Sequence, residues 1–225
     1  MRARFVEDLV ESALADGVDQ YVILGAGLDS FAVRRPDLVG RLEVFEVDHP
    51  ATQAWKLSRL AELGLETPAE LTFVPVNFEQ EPFLEALTSR GFELGKPAVV
   101  SWIGVTMYLS LDAIVDTLTT MAALAAGSVV AMTYDLPATA LTGLQLEVRN
   151  SLAAIVSDLG EPFVTTFEPA GAESLLRRLG FDEIHHYSPT DAAEQYFAGE
   201  RDVRLGGSQR LVVARPALPF RPKDV

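Results

Sequence analysis

The first residues able to do chemistry are Gly25-Ala26-Gly27-Leu28-Asp29-Ser30, directly after the apolar run Tyr21-Val22-Ile23-Leu24. A glycine pair at a strand end lets backbone approach a ligand lying over the sheet. A dinucleotide fingerprint needs a third glycine where Ser30 stands and sets a pyrophosphate against the next helix, where Asp29 repels it. S-adenosylmethionine carries an ammonium and a sulfonium but no phosphate, so charge selects it over NAD. Taken alone, the glycine pair also suits a tight turn that binds nothing. Twenty-one residues beyond Gly27, Phe45-Glu46-Val47-Asp48-His49-Pro50 ends a second strand with a carboxylate able to accept both hydroxyls of a ribose. Asp48 is the better candidate because Pro50 starts a helix, while Glu46 shares its face one pleat deeper; helix capping is its alternative role. Val76-Asn77-Phe78 offers an amide for an adenine edge and a ring to pack on it, with core burial the alternative for Phe78. A fourth run, Ser101-Trp102-Ile103-Gly104-Val105-Thr106-Met107-Tyr108-Leu109, leads to the transferable group, with Trp102 in the core and Tyr108 as either a substrate contact or a core residue.

These positions need a scaffold that brings strand ends together. Apolar, β-branched runs at 21–24, 42–47, 71–74, 98–102 and 128–132 alternate with helical patterns at 50–63, 82–90 and 111–124. Strands covered on both faces and separated by helices predict an open parallel sheet, a Rossmann-like α/β fold. An N-terminal helix over 3–15 should bury Phe5, Leu9 and Leu14. After Asp135 one long helical stretch, 139–159, is expected as part of a substrate wall, then a helix over 169–179 closed by Gly180. Strands at 181–187 and 210–214 complete seven, with an exposed hairpin loop at 199–207. His185 and His186 face opposite ways on one strand and read as structural.

The chain has 225 residues, 48% hydrophobic and 22% charged, which fits one domain over 1–215 and a proline-rich tail over 216–225. Zero cysteines and three histidines leave neither a thiol nucleophile nor enough ligands for a typical zinc site. With 18 basic against 32 acidic residues the net charge is −14, which disfavours nucleic acid and anionic lipid and points to a small-molecule or protein partner. No apolar run reaches the ~20 residues of a membrane span, and the opening lacks a signal peptide, so a cytoplasmic protein is expected. Homo-oligomer formation stays open.

Together, Arg2-Ala3-Arg4-Phe5, the stretch from Val22 to Ser30, Phe45 to Gln53, Phe73 to Phe78 and Gly104 to Leu109 resemble the S-adenosylmethionine-dependent methyltransferases common in actinobacteria, within the leucine carboxyl methyltransferase superfamily. The resemblance runs from Arg2 to about Ala214. It implies a class I methyltransferase fold, seven strands mostly parallel with helices on both faces. It also implies that Arg2 holds the methionine carboxylate of S-adenosyl-L-methionine, that Gly25, Ala26 and Gly27 line it with Asp29, that Asp48 beside His49 takes the ribose, and that Asn77 and Phe78 border the adenine. Three departures stand out. Asn77 replaces the usual Asp, which keeps an acceptor and loses a charge. Ile103 replaces the usual Glu that meets the cofactor's ammonium. Relatives carry a longer N-terminal segment, so a shortened lid is expected.

Methyl transfer from a sulfonium is an in-line displacement in which the protein positions the acceptor and excludes water. A carboxylate acceptor is already ionised and needs no base, which suits a chain poor in histidine. A hydroxyl acceptor needs one, and Tyr108 and Asp135 are the candidates. The expected function is therefore O-methylation of a small-molecule carboxylate or acidic hydroxyl, with Tyr108 as the catalytic candidate. The competing reading, resting on Ile103 and the expected short N-terminal segment, is a weakly catalytic or non-catalytic binding protein on the same fold. A hydrolase is excluded by the lack of a Gly-x-Ser-x-Gly elbow.

Overall fold

The computed structural model describes residues 1–78, 82–158, 160–198 and 207–217. Its first half alternates strand and helix: α1 (Arg2–Ala15), β1 (Gln20–Leu24), the short α2 (Phe31–Arg34) and α3 (Pro36–Val39), β2 (Glu43–Asp48), α4 (Pro50–Glu62), β3 (Leu71–Pro75), α5 (Phe83–Thr88) and β4 (Ala98–Trp102). A 3-10 turn (Thr106–Tyr108), α6 (Leu111–Ala122) and β5 (Val129–Asp135) follow. The rest comprises α7 (Gly143–Asp158), α8 (Pro169–Arg178), β6 (Phe181–Tyr187), α9 (Pro189–Tyr196) and β7 (Gln209–Pro216).

The seven strands form one sheet in the order β3-β2-β1-β4-β5-β7-β6. β1 to β5 run parallel, while β7 is antiparallel to both β5 and β6. β1 pairs with β2 on one side and β4 on the other, so the order reverses there and the loops after β1 and β4 part to leave a crevice.

Strand alternation divides the core. Tyr21 and Ile23 of β1 join Val6 and Val10 of α1 on one face, while Val22 and Leu24 join Trp102, Ile114, Leu118 and Met121 on the other. On α6 the buried positions Ala113, Ile114, Thr117, Leu118 and Met121 trace one helical stripe, and its N-cap Ser110 accepts the Ala113 N–H.

Two expectations are corrected. The buried residues of α1 are Val6, Glu7, Val10 and Ala13, whereas Phe5, Leu9 and Leu14 only flank that core partly buried. The stretch 139–159 is not one helix: a 3-10 turn (Ala138–Ala140) precedes α7, and Gly143 at φ +55° starts it. Helix α9 escaped the sequence reading although Ser188 and Asp191 form a capping box at its start. The loop expected at 199–207 lies outside the described residues except for Gly207, and so does the tail from 218 onward. Among the described residues no helix is long and apolar enough to cross a membrane.

Candidate active site

The glycine loop is held by its neighbouring strand. Gly25 and Ala26 donate their N–H groups to the Val47 carbonyl at 2.7 and 3.3 Å, and the Asp48 carboxylate accepts the Gly27 N–H. Its second oxygen accepts the His49 N–H at 2.6 Å. Asp48 therefore stays in the loop, and His49 is the residue that caps α4, its Nδ1 accepting from Ala51 at 3.2 Å. Asp29 bends the chain into α2 by accepting the Phe31 N–H at 2.6 Å.

Beneath the loop sits a buried ion pair that the sequence reading did not assign. Lys56 of α4 donates to Glu46 at 2.5 Å and to the Asp29 carbonyl at 2.6 Å, so one ammonium ties β2 to the glycine loop. Glu46 is thus buried and paired with Lys56, a support for the loop. Burial pushes its carboxyl above the usual range against the pull of Lys56, and its Oε1 has no partner among the described residues. The available signal was the position of Lys56 on the face of α4 turned to the sheet, shared with buried Gln53, whose amide donates to the Glu46 and Val74 carbonyls.

Both glycines have positive φ, +65° at Gly25 and +49° at Gly27, but their surroundings differ. A Cβ on Gly25 would lie 2.3 Å from a methyl carbon of Val105, whereas one on Gly27 would meet nothing within 4 Å. Gly25 is there so that the loops after β1 and β4 can touch. Gly27 faces open space above the strand ends. The loop after β4 is fastened to β5, with Gly104 donating to Thr133 Oγ1 at 2.8 Å and Thr106 Oγ1 to the Thr133 carbonyl at 2.7 Å.

Two cavities flank these loops. The smaller, about 170 Å³, brings together Arg2, Gly25, Ala26, Asp29 and Ile103 from three parts of the chain. Tyr21 and Ser101 also line it, joined hydroxyl to hydroxyl at 2.9 Å. The larger, about 680 Å³, lies between α1, α7, α9 and the facing ends of β5 and β7. Arg2 borders both and donates to Gln209. In the larger cavity's wall, Asp135 accepts from Ser208 Oγ at 2.5 Å and Gln209 Nε2 at 3.1 Å. Gln209 carried no signal in the sequence because it reaches the site from 207 residues beyond Arg2.

The remaining candidates sit apart from the smaller cavity. Asn77 and Phe78 follow β3, where Phe78 meets Phe83 edge-on with ring centroids 6.4 Å apart. Tyr108 lies outside the walls of both cavities and packs on Phe163 at 5.7 Å. Burial, then the charges of Glu161 and Asp135, push its phenol above the usual value, so it is a hydrogen-bond donor near neutral pH and a poor base.

A sequence model described as leucine carboxyl methyltransferase matches residues 1–122, the half that carries the glycine loop, Asp48 and the loop after β4. The chain belongs to this family. Over 203 residues it is 33% identical to the Bacillus subtilis (strain 168) protein named "Putative S-adenosyl-L-methionine-dependent methyltransferase YktD", covering 89% of this chain and 66% of that protein. A Mycolicibacterium paratuberculosis protein of the same name, without the final word, is 36% identical over 148 residues, 64% of this chain and 48% of its own. The chain thus spans less than two thirds of the length of these relatives. The crystal structure of a DUF574 family protein from Streptomyces avermitilis superposes with a TM-score of 0.64 at 20% identity, covering 95% of this chain and 80% of that one. The fold is accordingly that of a class I methyltransferase, a mostly parallel seven-stranded sheet between helices.

Proposed function

We propose that this leucine carboxyl methyltransferase family chain binds S-adenosyl-L-methionine over the ends of β1, β2 and β4 and transfers its methyl group to an oxygen of a small molecule, a carboxylate or an acidic hydroxyl. The observation that carries the reading is the convergence of Arg2, Gly25, Ala26, Asp29 and Ile103 on one cavity beside a glycine loop tied to Asp48. The residues present suit the cofactor. Gly27 leaves room that a Cβ would fill, and two carboxylates, Asp29 and Asp48, flank the loop and would repel a pyrophosphate.

In this reading Asp48 keeps lone pairs beyond those used by Gly27 and His49 to accept ribose hydroxyls, and Asn77 and Phe78 border the adenine. Arg2, beside Gly104, holds the methionine carboxylate. When bound, the sulfonium supplies a methyl group already activated for displacement. The chain's own task is then to orient the acceptor and keep water out. The larger cavity adjoins the smaller through Arg2 and is the place for the acceptor. A carboxylate acceptor needs no base, which agrees with the protonated state of Tyr108.

Calorimetric titration with S-adenosylmethionine, S-adenosylhomocysteine and NADH tests the reading. Binding of the first two and not the third is expected, and NADH binding in their place would overturn it.

A further inference from the structure

Helix α7 buries none of its described residues, yet its apolar positions are ordered. Leu144, Val148 and Leu152 recur every four residues, share a face with Arg149, and line the larger cavity with it. These three side chains are 73%, 56% and 49% exposed, a stripe that a folded domain does not leave open without use.

The charge of this cavity runs against that of the chain. The net charge is −14, but among the described residues the cavity wall carries the guanidiniums of Arg2, Arg149 and Arg210 against the single side-chain carboxylate of Asp135. Asp135 is committed to Ser208 and Gln209. None of the three arginines takes part in an ion pair among the described residues. Among the described residues Arg210 donates only to the Gly207 and Gln209 carbonyls, at 3.3 and 3.0 Å. Arg149 lies over the Phe163 ring at 5.6 Å, and its Nε is buried with no hydrogen-bond partner among the described residues. A guanidinium fork with unused donors beside an apolar wall matches a carboxylate carried on an apolar body. At about 680 Å³ the space is of the size that small-molecule sites have.

We infer that the larger cavity takes an amphipathic organic acid, its apolar body along Leu144, Val148 and Leu152 and its anion at Arg149 and Arg210. Arg2 is left to the methionine carboxylate. This rests on the reading that the larger cavity holds the methyl acceptor, and it makes Arg149 the residue that selects acids from their neutral analogues.

The probes are octanoate and octanamide, alike in their apolar chain and different in charge, titrated into the full chain. The wild type should bind octanoate at least about tenfold tighter than octanamide. Arg149→Gln should bring the two together, Arg149→Lys should keep part of the preference, and Leu152→Ser should weaken both probes alike. Arg210→Gln is the second charge variant, read the same way if Arg149→Gln does not melt cooperatively. Equal binding of the two probes by the wild type, or an acid preference that survives both charge variants, overturns the inference. S-adenosylmethionine titrated into the same samples separates the two readings. Donor binding without acid preference sinks this inference alone, while acid preference without donor binding sinks the methyl-transfer reading and leaves the acid site standing.

Discussion

The carboxylate of Asp48 accepts the backbone N–H of Gly27, so the end of β2 closes the glycine loop that leaves β1. One side chain therefore shapes the loop and, in the proposed reading, accepts the ribose. Asp48→Ala removes both functions. The expected loss in S-adenosylmethionine affinity is about tenfold or more, the value of a charged hydrogen bond of roughly 1.5–3 kcal/mol. Calorimetric titration of the folded variant checks it, and an unchanged dissociation constant would remove Asp48 from the site.

Gly25 and Gly27 should separate stability from binding. Alanine at Gly25 drives its Cβ to 2.3 Å from Val105 in a left-handed backbone, so Gly25→Ala should destabilise by about 1–3 kcal/mol of overpacking, besides about 1–2 kcal/mol for the backbone. Adding Val105→Ala should return the overpacking part. Alanine at Gly27 meets no protein atom within 4 Å and should cost only the backbone part, yet weaken the donor by standing in its space. Urea unfolding and titration of the three variants test this, and donor binding to Gly27→Ala as tight as wild type would move the ligand away from the loop.

Ile103 lines the smaller cavity beside Arg2 and Asp29, where the family resemblance places a carboxylate for the cofactor's ammonium. Ile103→Glu should tighten S-adenosylmethionine binding, because a partly buried carboxylate gains a partner only when the ammonium is present. The variant alone should be less stable, and donor should raise its melting temperature by more than that of the wild type. A folded variant that binds donor more weakly would show that Ile103 does not face the ammonium.

The parallel half of the molecule was legible because its signals are local. Glycines after β1, Asp48 before Pro50 and the apolar runs of β1, β2 and β4 each fix structure within a few residues, and their ends converge once the strands pair. Of the larger cavity only the helical wall after Asp135 was legible; the rest was not, since it joins Arg2 to Gln209 and α7 to β7 across most of the chain. The stretch after Asp135 was read as one long helix because its pattern is helical on both sides of Gly143, whose left-handed backbone separates the 3-10 turn from α7. Lys56 had a signal in its place on the α4 face shared with Gln53, but its partner Glu46 is fixed only once α4 packs on the sheet.

His186 gives the chain a pH dependence away from the candidate site. Its Nδ1 shares a hydrogen bond with the Tyr134 hydroxyl at 2.9 Å, and its Nε2 is buried without a partner among the described residues. Burial pushes the imidazole below its usual value, with Glu173 opposing weakly, and holds the Tyr134 phenol up at about 12. A depressed folded-state pKa means that the unfolded chain binds the proton first. The contribution to stability is present above about pH 6.5 and is lost as pH falls toward the folded value, at no more than about 1.4 kcal/mol per pH unit. His186→Phe should flatten this slope. Urea unfolding at pH 7.5 and pH 5 compares the two proteins, and an identical loss of stability in both would clear His186 of the effect.

Lys56 and Glu46 should behave as a buried pair with a second duty. Their side chains are 6% and 1% exposed, so Lys56→Met leaves a buried carboxylate without its cation, a loss of about 3–5 kcal/mol. The Glu46→Met, Lys56→Met double variant should regain most of that stability, because a packed apolar pair of similar volume replaces two charges that were costly to bury. Donor affinity should not recover with it. Lys56 also donates to the Asp29 carbonyl, and methionine offers no donor to hold the end of the glycine loop. Denaturant unfolding reads the first effect and calorimetric titration with S-adenosylmethionine the second. If the double variant regained both stability and wild-type affinity, the lysine would be part of an ion pair and nothing more, and the loop would hold its shape through Asp48 alone.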